Sequence, residues 1–420
     1  MILFITRQIP YPPNAGVRIR QLQLLEAYAG VSPVHLVFNY LHEAELAGVP
    51  ALEQLCAGVH PVPFSWCGRP ARPGLPHWWK DLRTHHQLRS FRSGHFFSRE
   101  MRQTIAAMAP ACRVIHVDSL FMATHAEAAL RRRTRQQRLI LDLDDVETRV
   151  QQRWLRVSPL ARWSARIAGA LDLALVAREQ SRALRRFDRV LVCSQQDWEY
   201  VGGTRNLVVI PNGTDVRRGP LPDTSDGRTL LCLGTYGHWP NVDGLLFFLR
   251  EIVPLVRAEV RELRVLVVGN DVPPDVARLH DGHGVIVSAD VPSVEPYYRQ
   301  ATASVVPLRV AGGTRLKILE AFALGRPVVS TSVGCEGLEV ADRQHLLIAD
   351  EPAAFARSCV ELLRDPGFRA QIATQGRALA ERQYSWESIR HRAAQLATDL
   401  LRDDRSPATV RTEGRPEALQ

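Results

Sequence analysis

The feature that most constrains this chain is an alternation of short runs rich in β-branched residues with stretches long enough for amphipathic helices. Ile2–Thr6, Val34–Phe38, Val114–Val117, Leu139–Leu143, Val190–Cys193 and Leu207–Ile210 make a first series. Leu230–Leu233, Val265–Val268, Val285–Val287, Ala303–Leu308, Val328–Thr331 and Leu346–Ile348 make a second. Parallel strands need a helical crossover to return to the same edge, so each series predicts an α/β unit: a parallel sheet with helices on both faces.

Between the two series lies a polar stretch, 211–228, that opens with Pro211-Asn212-Gly213. The chain of 420 residues exceeds the size at which one core stops growing, which agrees with two domains. We expect a first Rossmann-like domain over 1–215 and a second over 216–384, with a helix at about 385–402 packing back on the first and a disordered tail over 403–420. Sheets joined this way turn the carboxyl ends of their strands toward a shared cleft, where such folds bind ligands.

Composition narrows the function classes. At 45% hydrophobic and 23% charged, the chain is neither disordered nor fibrous. Met1–Thr6 reads as a first strand because Arg7 interrupts it too soon for a signal sequence. The run Ile167–Ala177, broken by Asp172, is too short to cross a bilayer. Seven cysteines, with no Cys-x-x-Cys pair, predict reduced thiols in a cytoplasmic setting and neither disulfides nor zinc. The net charge of +9 suits an anionic partner: a phosphate-bearing donor, an anionic lipid or nucleic acid. An arginine-rich surface without a partner explains it as well. With no helix-turn-helix, zinc or aromatic sheet motif, we do not expect nucleic acid as partner.

The segment from Val305 to Val329 carries the chemistry: an apolar strand, a glycine turn, a helix and another strand. Gly312 and Gly313 allow a tight turn and close approach to a ligand, Thr314 can cap the helix, and Gly325 with Pro327 ends it. A helix start after a glycine turn presents free N–H groups to an anion, with Arg309, Arg315 and Lys317 nearby in sequence. A plain strand-to-helix turn has the same pattern. Glu320 lies on a mostly apolar helix and needs a partner, either Lys317 one turn earlier or the hydroxyls of a nucleotide ribose.

This segment resembles the nucleotide-sugar signature of glycosyltransferase family 4, whose members have the GT-B fold of two facing Rossmann-like domains and retain anomeric configuration. Pro211-Asn-Gly-Thr-Asp215 is similar to that family's Pro-Asn-Gly-Val-Asp crossover, and Gly234 to Asp243 to the Gly-x-Met-x-Trp-x-Pro-Asn-x-Asp variant of exopolysaccharide-type members. The resemblance implies a sugar transferase of cell-surface polysaccharide synthesis, with a nucleoside diphosphate sugar as donor, a saccharide or lipid-linked acceptor and no cofactor or metal ion. It places Glu320 on the ribose and Gly312, Gly313 and Thr314 at the donor. The family's first motif glutamate is Gly312 here, and His238-Trp239-Pro240 stands where many members carry Arg and Lys. Arg309 and Lys317 are the expected substitutes for that charge.

On the facing wall, the resemblance puts a glycine loop at Gly16, beside the donor phosphates, although Pro10 to Gly16 also reads as an ordinary Pro-rich turn. His116, at the end of its strand, is either an interior histidine or the family's contact to the donor sugar. Asp144 and Asp145 follow the strand ending at Leu143 and are expected near the acceptor rather than as metal ligands. The stretch from Pro76 to Phe97 mixes aromatics with cations and, with Arg131–Arg135, reads as a solvated surface or as a peripheral contact to an anionic membrane. An inactive GT-B-like scaffold is the alternative function, because Gly312 replaces a motif glutamate. A nicotinamide enzyme is disfavoured because the first βα turn lacks Gly-x-Gly-x-x-Gly.

Overall fold

A computed structural model describes residues 1–64, 90, 97–157, 163–217, 219–310 and 312–403. Of the aromatic and basic stretch, residues 76–89 and 91–96 lie outside the described residues, as does the tail beyond 403.

The first sheet contains β1 (Ile2–Thr6), β2 (Val34–Tyr40), β3 (Gly58–Pro63), β4 (Val114–Asp118), β5 (Arg138–Leu143), β6 (Arg189–Val192) and β7 (Leu207–Val209). Its order is β3-β2-β1-β4-β5-β6-β7, all parallel. Alternate residues serve two helical layers: Leu3, Ile5, Val117 and Leu141 face one, Ile2, Phe4, Leu36 and Ile140 the other. Burial on both faces is what makes these strands continuous apolar runs. The edge strand β3 was not expected from the sequence. Its Pro61 and Pro63 lack an N–H to donate, which an edge position tolerates and a central one does not.

The second sheet contains β8 (Thr229–Thr235), β9 (Arg264–Asn270), β10 (Val285–Ala289), β11 (Ala303–Val306), β12 (Val328–Ser330) and β13 (Leu347–Ile348). The order is β10-β9-β8-β11-β12-β13, again parallel. Leu230, Cys232, Val265 and Val267 face one layer; Leu231, Leu233, Leu266 and Val268 face the other. The two sheets, each covered by helices on both faces, are two Rossmann-like units.

The chain crosses between the units twice. After β7 the turn at Asn212-Gly213-Thr214 meets the second crossing: the Thr214 amide donates to Tyr384 O at 2.7 Å, and the Trp386 amide to Thr214 O at 3.1 Å. A Cβ on Gly213 would lie 2.8 Å from Tyr384 O, so this crossing admits no side chain. The final helix, Trp386–Arg402, seats Trp386, Ile389, Ala393, Ala397 and Leu400 against Leu24, Leu25 and Tyr28 of the first helix, Gly16–Ala29. No helix among the described residues is long and apolar enough to cross a membrane.

Candidate functional site: two walls of one cleft

In each sheet the strand order reverses at one point, between β1 and β4 in the first and between β8 and β11 in the second. Ligands of such folds bind at the carboxyl side of that reversal. Here residues that follow the two reversals meet across the two units, as the facing walls of a candidate cleft.

The second-sheet wall is the glycine turn. Its helix runs from Leu316 to Ala323, with Arg315 rather than Thr314 at the cap position and no side-chain cap. Thr314 instead accepts a hydrogen bond at 2.9 Å from Asn212 Nδ2, a bond that ties the turn to the crossover. Gly313 adopts φ +62°, the left-handed conformation that favours glycine. Arg315 folds back over the turn and donates through Nη1 to the carbonyls of Gly312 and Gly313. Only 8% of the residue is exposed, and its Nε and Nη2 are buried without a hydrogen-bond partner among the described residues. Burial lowers its pKa, and Arg153 pushes the same way against Asp145 and Glu336. Leaving a buried guanidinium half satisfied is costly unless a ligand completes it.

Lys317 does not pair with Glu320. Its ammonium donates to Leu233 O at 2.5 Å and to Asn241 Oδ1 at 3.0 Å, at the end of β8. Burial, reinforced by Arg315, brings its pKa down to about 8. Glu320 Oε2 accepts from the Tyr298 hydroxyl at 3.3 Å, which also donates to Lys317 O at 3.2 Å. Arg309 is engaged elsewhere. It forms a two-pronged pair with Asp243 at 3.0 and 2.5 Å and lies 5.0 Å over the Phe247 ring, half exposed. The charge expected of Arg309 at the turn is carried by Arg315.

The first-sheet wall is acidic around one arginine. Arg7, just past β1, has burial working against its charge, yet Asp144, then Asp118, Glu147 and Asp145, hold its pKa above the ordinary value. Asp118 ends β4 and accepts from Gln21 Nε2 at 2.7 Å. Burial, then Asp144, pushes Asp118 well above the usual carboxylate range; burial, then Asp145, pushes Asp144 to about 6. Ser119 follows with φ 68° and ψ 152°, a region almost restricted to glycine, and its hydroxyl is buried without a partner among the described residues. Such strain clusters at functional sites.

His116 lies one residue deeper than its sequence position suggested, because β4 continues to Asp118. It is fully buried, stacked on Phe4 at 4.3 Å, with Nδ1 3.3 Å from the Tyr28 hydroxyl. Burial brings its pKa down to about 4, so the ring is neutral. It is an interior histidine whose Nε2 is buried without a hydrogen-bond partner among the described residues, and the strand end belongs to Asp118. Asp142 faces inward as well: Arg20 grips it through two bonds of 2.8 Å, both side chains being at most 2% exposed. Arg20 also donates to Ile210 O at 2.9 Å and Asn212 Oδ1 at 3.1 Å, so the pair bolts the crossover to the first sheet. Among the described residues no group of three or more His, Cys, Asp or Glu is placed to hold a metal ion.

The walls meet at several points. A Cβ on Gly16 would lie 3.1 Å from Leu316 Cδ1, and Asn270 Nδ2 donates to Asn14 O at 3.1 Å. From the helix Glu147–Val157, Arg149 and Arg153 both pair with Glu336 of the second unit; Arg153 Nη2 is 2.7 Å away. Asp144 and Asp145 lie directly against Gly313. The structure thus gathers Gly16, Gly312, Gly313, Asp144 and Asp145 at one place, with Lys317 and Glu320 on the helix behind, and leaves Arg309 and His116 out. Arg315, Arg7 and Asp118 were not singled out as site residues from the sequence. Two of them, Arg7 and Asp118, carry one available signal: a charge on the last or next residue of an apolar strand.

Comparison with known proteins bears on the fold and on the second unit. Residues 227–365 match the family model described as "Glycosyl transferases group 1". A protein of the cps region of Klebsiella pneumoniae, described as an uncharacterized 44.6 kDa protein, is 23% identical over 36% of this chain and 40% of its own length. The alignment therefore spans less than half of that relative. Sucrose-phosphate synthase from Thermosynechococcus elongatus superposes with a TM-score of 0.66 at 18% identity, covering 95% of this chain and 98% of that one. Anabaena HepE in complex with UDP-glucose superposes with a TM-score of 0.64 at 15% identity, covering 95% and 99%. TarM superposes with a TM-score of 0.65 at 10% identity, covering 94% and 98%. Residues 227–365 thus form a glycosyl transferases group 1 domain set in a GT-B fold, the build of a glycosyltransferase.

Proposed function

We propose that the chain is a retaining glycosyltransferase that moves a hexose-type sugar from a nucleoside diphosphate donor to a saccharide or lipid-linked acceptor in cell-surface glycan synthesis. The observation that carries the reading is Arg315, buried at the glycine turn with Nε and Nη2 unpartnered, at the start of a helix. A diphosphate is the guest whose chemistry matches those donors. It accepts the free guanidinium hydrogens and the exposed amides of the first helical turn, and its charge offsets two crowded cations, Arg315 and Lys317.

Bond cleavage at the anomeric carbon builds negative charge on the departing diphosphate. Fixed cationic and amide donors in a water-poor cleft stabilise that charge, and this differential stabilisation is the catalysis. Glu320, whose Oε2 accepts from the Tyr298 hydroxyl, is the carboxylate that the motif resemblance puts on the ribose hydroxyls. Retention and family 4 membership rest on the motif resemblance; the cps-region relative and the UDP-glucose complex of HepE support a surface-glycan role and a nucleotide-sugar donor. The donor seat needs no metal ion, since guanidinium and amides supply its positive charge. Arg131, Arg132 and Arg135 are exposed in the first unit and suit contact with an anionic membrane, whereas Arg133 is paired with Asp188.

The test is a thermal-shift panel of UDP-, GDP-, dTDP- and ADP-sugars. A ligand at 100 times its dissociation constant adds about 2.7 kcal/mol of stability, a clear shift in melting temperature. One base should stand out. A panel with no shift for any of them contradicts the reading and favours an inactive scaffold.

A further inference from the structure

We propose that Asp145 belongs to the donor site and reads the transferred sugar: its carboxylate reaches across the cleft to accept hydroxyls of the sugar held at Gly312-Gly313. The inference rests on the donor reading above, and it moves Asp145 from the acceptor side, where its place after β5 had put it.

The geometry begins with the two glycines. A Cβ built on Gly312 would meet Val150 Cγ2 and lie 3.0 Å from Asp145 Oδ1; one on Gly313 would lie 2.5 Å from the same oxygen. The carboxylate of one unit therefore fills the space into which side chains of the other unit's turn would project. Only a turn without side chains lets it in. Asp145 occupies the bend between β5 and the helix Glu147–Val157, and that helix is held to the second unit by the pairs of Arg149 and Arg153 with Glu336. Its position against the turn is thus fixed from both ends.

Charge assigns the guest. After desolvation, Asp145 is the largest influence on Arg315, whose Nη1 caps the carbonyls of the same turn. A diphosphate seated on the free Nε and Nη2 of Arg315 would take over as counter-charge and leave the Asp145 carboxylate to accept new donors. A carboxylate does not accept a second anion; it accepts O–H groups. The hydroxyl-bearing group that adjoins a donor's diphosphate on this side is the sugar itself. The competing account makes Asp145 nothing more than the counter-ion of Arg315.

Calorimetry separates the two. The probes are whichever of UDP-glucose, GDP-mannose, dTDP-glucose and ADP-glucose gives the largest thermal shift, and the nucleoside diphosphate of the same base. For Asp145→Asn we expect affinity for the bare nucleoside diphosphate to stay the same or improve, while affinity for the nucleotide sugar falls about tenfold or more, the loss typical of a charge-assisted hydrogen bond. Unimpaired nucleotide binding also shows that the variant is folded. Gly312→Ala, whose methyl must displace Asp145 and Val150, should shrink the same affinity ratio. Asp145→Glu, which keeps the carboxylate, should restore part of it. A ratio unchanged in Asp145→Asn overturns the proposal, whether both affinities move together, as a counter-ion predicts, or neither moves and only the acceptor KM rises. A wild-type protein that binds no nucleotide sugar overturns the donor reading and this inference together; an unchanged ratio overturns this inference alone.

Discussion

The two walls of the cleft are charged in opposite senses. On the second-sheet wall, Arg315 and Lys317 crowd together and both have lowered pKa values, each chiefly through burial and in part through a neighbouring cation. On the first-sheet wall, Asp118 and Asp144 crowd around Arg7 and both have raised pKa values, again chiefly through burial. Each wall stores like-charge repulsion that a suitable guest relieves, and pKa values perturbed in this way mark functional clefts. A diphosphate relieves the cationic wall; hydroxyl donors suit the acidic one. On the proposed reading, these are the two demands that a sugar attached to a diphosphate would meet.

The largest effect that can break this picture lies beneath the acidic wall. Arg20→Met leaves Asp142 buried without its partner, and removing one member of such a pair costs about 3–5 kcal/mol. Urea unfolding measures it. A loss under about 1 kcal/mol would mean that the first-sheet wall is not a preorganised surface. On the opposite wall, Glu320→Gln should weaken binding of the preferred nucleotide sugar about tenfold or more at nearly unchanged stability, because the isostere loses the charge in its hydrogen bonds. Unchanged affinity in isothermal titration removes the ribose role.

The pH dependence of stability sharpens the comparison next. Asp144 has its pKa raised from an ordinary carboxylate value to about 6 by burial and by Asp145. A raised acid adds stability that is fully present below the unfolded value, near 4, and is lost as pH rises through about 6. Melting curves of Asp144→Asn should therefore lie above those of wild type at pH 7 to 8 and converge with them near pH 4. A constant offset across that range would show that Asp144 carries no such shift. The smallest effect is expected at Arg309. Its exposed pair with Asp243 contributes about 0–1 kcal/mol, and Arg309→Ala should leave donor binding within about twofold. A tenfold loss would return Arg309 to the donor site.

Much of the fold was legible in the chain because strands buried on both faces must be apolar throughout. Every central strand announced itself in that way. The strand β3 did not, since an edge position accepts the glycine and prolines of Gly58–Pro63 that read as a loop. The glycine turn was legible as a turn, and Gly313 does adopt the left-handed φ of +62°; a role at a ligand was not, since a plain strand-to-helix turn has the same pattern.

What the chain did not reveal was pairing at a distance. Arg309 and Arg315 look equivalent in sequence, yet Asp243, 66 residues away, claims one and nothing among the described residues completes the other. His116 drew notice over Asp118 because strand ends are uncertain by a residue or two, and two residues separate His116, stacked on Phe4 within the strand, from Asp118 at its end. Asp145 could not be set against Gly312 from sequence at all, since the contact exists only across two units.

The most direct test of the donor seat is isothermal titration of the preferred nucleotide sugar into wild type, Arg315→Met and Arg309→Ala at fixed ionic strength. If the two unpartnered guanidinium donors of Arg315 hold the diphosphate, Arg315→Met should lose roughly 10- to 100-fold in affinity, and as much for the bare nucleoside diphosphate, while Arg309→Ala stays near wild type. Equal affinity in wild type and a folded Arg315→Met protein would contradict the account, because the diphosphate would then be held elsewhere.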